Sequence, residues 1–198
     1  MAIVDDLNRL RDWLQAEVCD RVQLKAPDDE ESAEAYAYKL VHPTAFIQYI
    51  PSSDRLPDGV PAQHPSLCIR LTEGEHRQDG TSRMQLMLHF GAWNPGLHVQ
   101  DVLKPVGGNS LFGYIQATEG EYRRTADGWQ DALSFVDRAL RTLENAGSID
   151  GLRVVVEDGI KYGMAGEDLE GFYPYWFAWV AFTVESGNVR ARKIEEFL

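Results

Sequence analysis

The run Tyr173–Glu185, Y-P-Y-W-F-A-W-V-A-F-T-V-E, sets the terms for the rest of the chain. A strand with one wet face alternates apolar and polar residues. Here Tyr175, Phe177, Trp179 and Ala181 fall on one side, and Trp176, Ala178, Val180, Phe182 and Val184 on the other. Both sets are apolar. The run therefore predicts a strand covered on both faces, and the rest of the sequence has to supply the covers.

Two segments have the periodicity of covering helices. Ile3, Leu7, Leu10, Leu14 and Val18 recur at three-to-four spacing, with Trp13 beside them, and predict a helix over Ile3–Val18. Trp129, Leu133, Val136, Leu140 and Leu143, flanked by Ala132 and Ala139, predict a longer one over Trp129–Asn145. Asp127 and Gln130 have the spacing of a capping box, and Gly147 stands where a left-handed residue ends a helix.

Strands are expected elsewhere. Val22 and Leu24 suggest a short one, and Tyr36–Tyr49 is β-prone but interrupted by Pro43, which makes it an edge strand or two pieces. Leu67, Ile69 and Leu71 share a face, and Met84, Leu86, Leu88 and Phe90 alternate with more polar neighbours up to the Asn94-Pro95-Gly96 turn. Thr72–Gly80 between them reads as a polar hairpin loop. Leu152–Glu157 is a further strand, continuing past Gly159 into Ile160 and Tyr162. The turn-rich segment after Pro51 reads as a surface loop, and the glycine-broken segment from Leu97 to Thr125 as a long excursion in which Leu111–Ala117 is a helical turn or short strand. The expected architecture is one α+β domain over residues 1–198. An antiparallel or mixed sheet of about five strands packs on the long helix and the N-terminal helix, with long loops near 51–65 and 94–127.

Composition permits this and narrows the function. An apolar fraction of 44% and a charged fraction of 25% suit a globular core. The net charge of −12 argues against sequence-specific nucleic-acid binding, which needs a basic stripe to displace counterions, and against docking on anionic membranes. No apolar run approaches the ~20 residues of a membrane helix. The start of the chain reads as an amphipathic helix, not a secretory leader. The two cysteines, Cys19 and Cys68, read as small buried hydrophobes, which fits a reducing, intracellular setting.

The sequence holds no nucleophile elbow, no phosphate-binding or dinucleotide-binding glycine motif and no H-E-x-x-H pair. Asp28–Glu31 is an acidic run without the spaced ligands of a calcium loop. Glu73 and His76 match E-x-x-H once, whereas di-metal bundles use it twice, on helices. His89 and His98 flank the Trp93 turn, and their convergence there is the one arrangement from which an enzyme site would be built. No catalytic, cofactor-binding or metal-binding residue is assigned.

Three stretches carry a family resemblance: Met84–Phe90 followed by A-W-N-P-G, then D-G-W-Q-D-A-L-S-F-V-D-R-A-L, then Y-P-Y-W-F-A-W-V-A-F. In layout the chain resembles the phage tail terminator (tail completion, head–tail joining) family. The resemblance implies an N-terminal helix, an antiparallel sheet and a helix before the last strand pair. It further implies a ring, a hexamer, at the head-proximal end of the tail, in contact with tail-tube and head–tail connector proteins. The protein would reside in the virion tail, and in the bacterial host cytoplasm during assembly. Trp93, Trp176, Trp179 and Phe182 are the expected oligomer interface. The alternative is a small cytoplasmic enzyme or a non-viral intracellular binding module with a site near the Trp93 turn.

Overall fold

The computed structural model describes residues 2–28, 38–98, 103–105, 112–114, 122–166 and 172–187. In chain order the elements are helix α1 (Ala2–Glu17), strands β1 (Leu24–Pro27), β2 (Tyr38–Val41), β3 (Thr44–Ile47), β4 (Ser66–His76), β5 (Ser82–Trp93), β6 (Gly96–His98), β7 (Leu103–Pro105), β8 (Phe112–Tyr114) and β9 (Tyr122–Arg124), helix α2 (Trp129–Ala146), and strands β10 (Ser148–Ile149), β11 (Leu152–Val154), β12 (Lys161–Met164) and β13 (Tyr175–Ser186). The fold is α+β, as the periodicities predict.

The central sheet has seven strands in the order β10-β11-β13-β5-β4-β3, with β12 also paired to β13. It is larger than expected for two reasons. First, β11 and β12 lie end to end along one edge of β13, facing Leu152↔Ser186 to Val154↔Val184 and Lys161↔Ala181 to Met164↔Ala178. The single strand expected over Leu152–Glu157 is interrupted because the chain turns through a 3-10 segment at Val156–Asp158. Second, Pro43 cuts the Tyr36–Tyr49 segment into β2 and β3, and β3 joins β4 in parallel, which makes the sheet mixed. The spine is β13 against β5, in unbroken antiparallel register from Tyr175↔Trp93 to Ser186↔Ser82. The region after Trp93 contributes two short antiparallel pairs, β6 with β9 and β7 with β8.

The polar segment expected as a loop is mostly strand. β4 runs on to His76 through a bulge between Leu71 and Glu73, and the turn is confined to residues 77–81. Asp79 closes that turn by accepting from the Thr81 amide at 2.9 Å and its hydroxyl at 2.7 Å.

Both helices pack on the same sheet face and share one core. Leu7, Leu10 and Leu14 of α1 with Val18 just past its end, and Ala132, Phe135, Val136, Ala139 and Leu143 of α2, meet Leu67, Ile69, Leu86, Leu88, Phe90, Val180, Phe182 and Val184. The buried stripe of α2 is rotated from the predicted one. It runs through small Ala132 and Ala139, which let the helix approach the sheet, and through Phe135, whose ring meets Phe90 edge-on at 4.9 Å. Trp129 is left exposed. The expected capping box does not form: the N-cap is Gly128, which has no side chain to cap with, and the Gln130 amide is taken by the Asp127 backbone carbonyl at 3.0 Å. Gly147 does end the helix at φ 57°. The helices are tied together where Arg138 donates to the Glu17 carbonyl at 3.0 Å and 3.2 Å.

Candidate functional site

With both helices on one face, the opposite face of the sheet is left without a covering helix among the described residues. Its composition follows from register. Strand partners lie side by side on one face, so the pairings define rows across the sheet. The central row reads Phe46, Cys68, His89, Trp179 and Gly163. The next is Arg70, Met87, Ala181 and Lys161, and at the far end Glu75, Arg83, Glu185 and Arg153 alternate in sign. In the other direction come Ser66, Gly91 and Phe177, then Trp93 and Tyr175.

Trp179 is the centre of this face. Its indole lies over Gly163, where a Cβ would come within 3.1 Å of the ring, so the glycine makes the space that the indole fills. Trp179, Phe177 and Met87 are half-buried, whereas Arg70 and Lys161 are exposed and, among the described residues, take part in no ion pair. An antiparallel sheet with one wet face ordinarily carries polar residues there. This one carries an aromatic and aliphatic strip flanked by two cations, on a chain of net charge −12.

The Tyr175 end of the face has its own cover. The loop after β3 brings His64 down onto Gly91, where any side chain would collide with the imidazole. The ring pairs with the Ser66 hydroxyl through Nδ1 at 2.8 Å and meets Tyr175 and Phe177 edge-on at 5.4 Å each. Tyr175 and Phe177 are themselves stacked, their planes 10° apart. Burial pushes the His64 pKa down to about 4, so the ring is neutral at pH 7. Beside it opens a cavity of about 380 Å³ between the end of β1, strand β2, the loop and Tyr175.

The predicted interface residues divide between the two faces. Phe182, 4% exposed, lies in the helix-side core. Trp176 is on that side as well, packed against the core, with its indole N–H donating to the Asn94 carbonyl at 3.0 Å. Asn94 in turn donates to Asp131 of α2 at 2.7 Å, so Trp176 belongs to a clasp between the end of β5 and the start of α2. Trp93 lies on the second face but is 4% exposed. Trp179 alone of the four is on the open face and only half-buried. Trp176 and Phe182 are thus held in the monomer's own core, because the period-two alternation turns every even-numbered residue of β13 toward the helices.

Sequence reading put Phe177 on this side of the strand but named neither it nor Met87 as a site residue, and it missed His64. For the first two the alternation held the signal; for His64 a loop fold decides the position. It also missed that Cys68 and His89 are register partners. That pair has the wrong electrostatics for a nucleophile and its base. Burial raises the Cys68 pKa to about 11 against an opposing pull from Arg70, and burial with Arg70 lowers that of His89. Nε2 of His89 is buried without a hydrogen-bond partner among the described residues. The convergence of His89 with His98 lies outside the described side chains. Glu73 and His76 point to opposite faces of β4, as the pairings Glu73↔Gln85 and His76↔Ser82 require. Among the described residues no group of three or more His, Cys, Asp or Glu is placed to hold a metal ion, and no helix is long and apolar enough to cross a membrane.

No protein-family model matches the chain, and no curated protein matches it by sequence.

Proposed function

We propose that the protein is a structural assembly component of the tail-terminator kind, working by contact through the open sheet face. It forms a ring of identical subunits, a hexamer, at the head-proximal end of a phage tail and meets tail-tube and head–tail connector proteins. The observation that carries this reading is the aromatic strip around Trp179, on a face that the two helices do not cover. The strip is half-buried at Trp179, Phe177 and Met87 and exposed at Tyr175, and partly exposed apolar surface of this kind marks contact surfaces. The element order supports the family resemblance: an N-terminal helix, a sheet, a long helix, then the last strands.

Size exclusion with light scattering, and electron microscopy alone and with tail tubes, test the reading. The expected result is a closed ring for the wild type and a folded, monomeric Trp179→Ser variant. A wild type that stays monomeric at every concentration and adds to no tube sinks the proposal.

A second reading, a binding module with its site near the Trp93 turn, is favoured by one observation. The cavity beside His64 and Tyr175 lies at that end of the sheet.

A further inference from the structure

We infer that the cavity beside Tyr175 is a binding site for a neutral carbohydrate, a pyranose or a short chain of them. Its volume, about 380 Å³, lies within the range of small-molecule sites. Four separate parts of the chain meet there: the end of β1, strand β2, the loop after β3 and the first residue of β13. Such convergence fixes a shape that one mobile loop would not.

The wall is Tyr175, 36% exposed. Its ring is held in place by stacking on Phe177 and by the edge of His64. Besides the Ser53 hydroxyl and the His64 ring, three polar side chains line the same space: the carboxylate of Asp28, the ammonium of Lys39 and the amide of Gln63. Among the described residues none of the three has a hydrogen bond or an ion pair. Groups lining a cavity without protein partners are available to a ligand.

Charge selects the ligand class. Asp28 and Lys39 cancel, Gln63 is neutral, and His64 is neutral because burial holds its pKa to about 4. A site whose described lining has no net charge has little pull on phosphate or on a polycation. It does offer donors and acceptors together beside an aromatic ring. A pyranose has the matching surface: hydroxyls that each donate and accept around its edge, and a face of C–H groups that packs on the ring. A proline-rich peptide would also pack on Tyr175, but it would bury Asp28 and Lys39 with few partners, which is costly.

The inference does not rest on the assembly reading, since the site lies within one subunit. Saturation-transfer NMR and calorimetry with cellobiose and diacetylchitobiose test it on the full chain. Expected are transfer to ring protons and a dissociation constant on the order of 1 mM or tighter. Binding should weaken tenfold or more in Gln63→Ala and Lys39→Met, survive in Tyr175→Phe, and be unchanged in Tyr49→Ala, an exposed aromatic outside the cavity. Tyr175→Ala should abolish it while the far-ultraviolet spectrum stays that of a folded chain. No transfer from either disaccharide at about 10 mM overturns the inference. So does binding that Gln63→Ala and Lys39→Met leave intact, or displacement of the sugar by a proline-rich peptide that binds more tightly.

Discussion

His64 is a residue whose titration the fold resists. Its folded pKa of about 4 lies below the ordinary 6.5, so the unfolded chain binds the extra proton first as pH falls. Stability linked to His64 is therefore fully present above about pH 6.5 and is lost as pH drops toward 4. Between pH 7 and 5 the loss is about 2 kcal/mol, which urea unfolding of wild type against His64→Asn will measure. The wild type should fall more steeply with pH than the variant; parallel curves would show that the imidazole is not held neutral. Gly128 shows the same tightness in purely steric form. Its φ of −63° suits any residue, but a Cβ there would strike the Trp176 indole and come within 2.8 Å of the Asn94 carbonyl. Gly128→Ala should destabilise by about 1–3 kcal/mol through overpacking, read from the urea midpoint, despite alanine's better helix propensity.

At the scale of elements, the exposed edge of β3 is protected by a side chain. Gln15 of α1 accepts from the Ala45 amide at 2.8 Å and donates to the Pro43 carbonyl at 3.1 Å, so its amide does for the edge what a neighbouring strand would. Gln15→Ala should cost about 1–2 kcal/mol, and exchange at the Ala45 amide should quicken while that at Leu88 stays slow. Equal exchange at Ala45 in both proteins would mean that α1 holds β3 by apolar packing alone. Gln15 was invisible in the sequence, where it falls on the polar side of an amphipathic helix. Other elements were legible, for identifiable reasons. The two faces of β13 could be read because strand geometry forces period two. The helices could be read because their large apolar residues recur at three to four. Reading failed where small or polar residues carry structure. Ala132 and Ala139 shift the buried stripe of α2 away from Trp129. Thr72–His76 has no apolar alternation because its strand lies in the charged end of the sheet, and only pairing with β5 makes it a strand. The candidate site was legible at Trp179 and not at His64, Asp28 or Lys39, which pairing and loop closure bring together.

Across the whole molecule, the −12 net charge is not spread evenly. The far end of the open face gathers cations among the acids. Arg83 pairs with Asp158, Arg77 lies 3.5 Å from Glu75 and 3.9 Å from Glu185, and Arg153 lies 2.6 Å from Glu157 and 3.6 Å from Glu185. A single exposed pair contributes little, because solvent screens it and two side chains lose freedom. A network differs, since removing one cation leaves several acids facing one another in a field that is already negative. Arg83 stands between Glu75 and Glu185 in register and holds the Asp158 pKa below its ordinary value through their hydrogen bond. Arg141, paired with Asp137 at 2.9 Å on the surface of α2, serves as the isolated comparison. Arg83→Met should lower the melting temperature more than Arg141→Met at low ionic strength. The gap should close near 1 M salt, where the screening length falls to about 3 Å. If the gap persists at high salt, Arg83 acts by packing its stem against the sheet, and the charged end of the face is not held by its alternating signs.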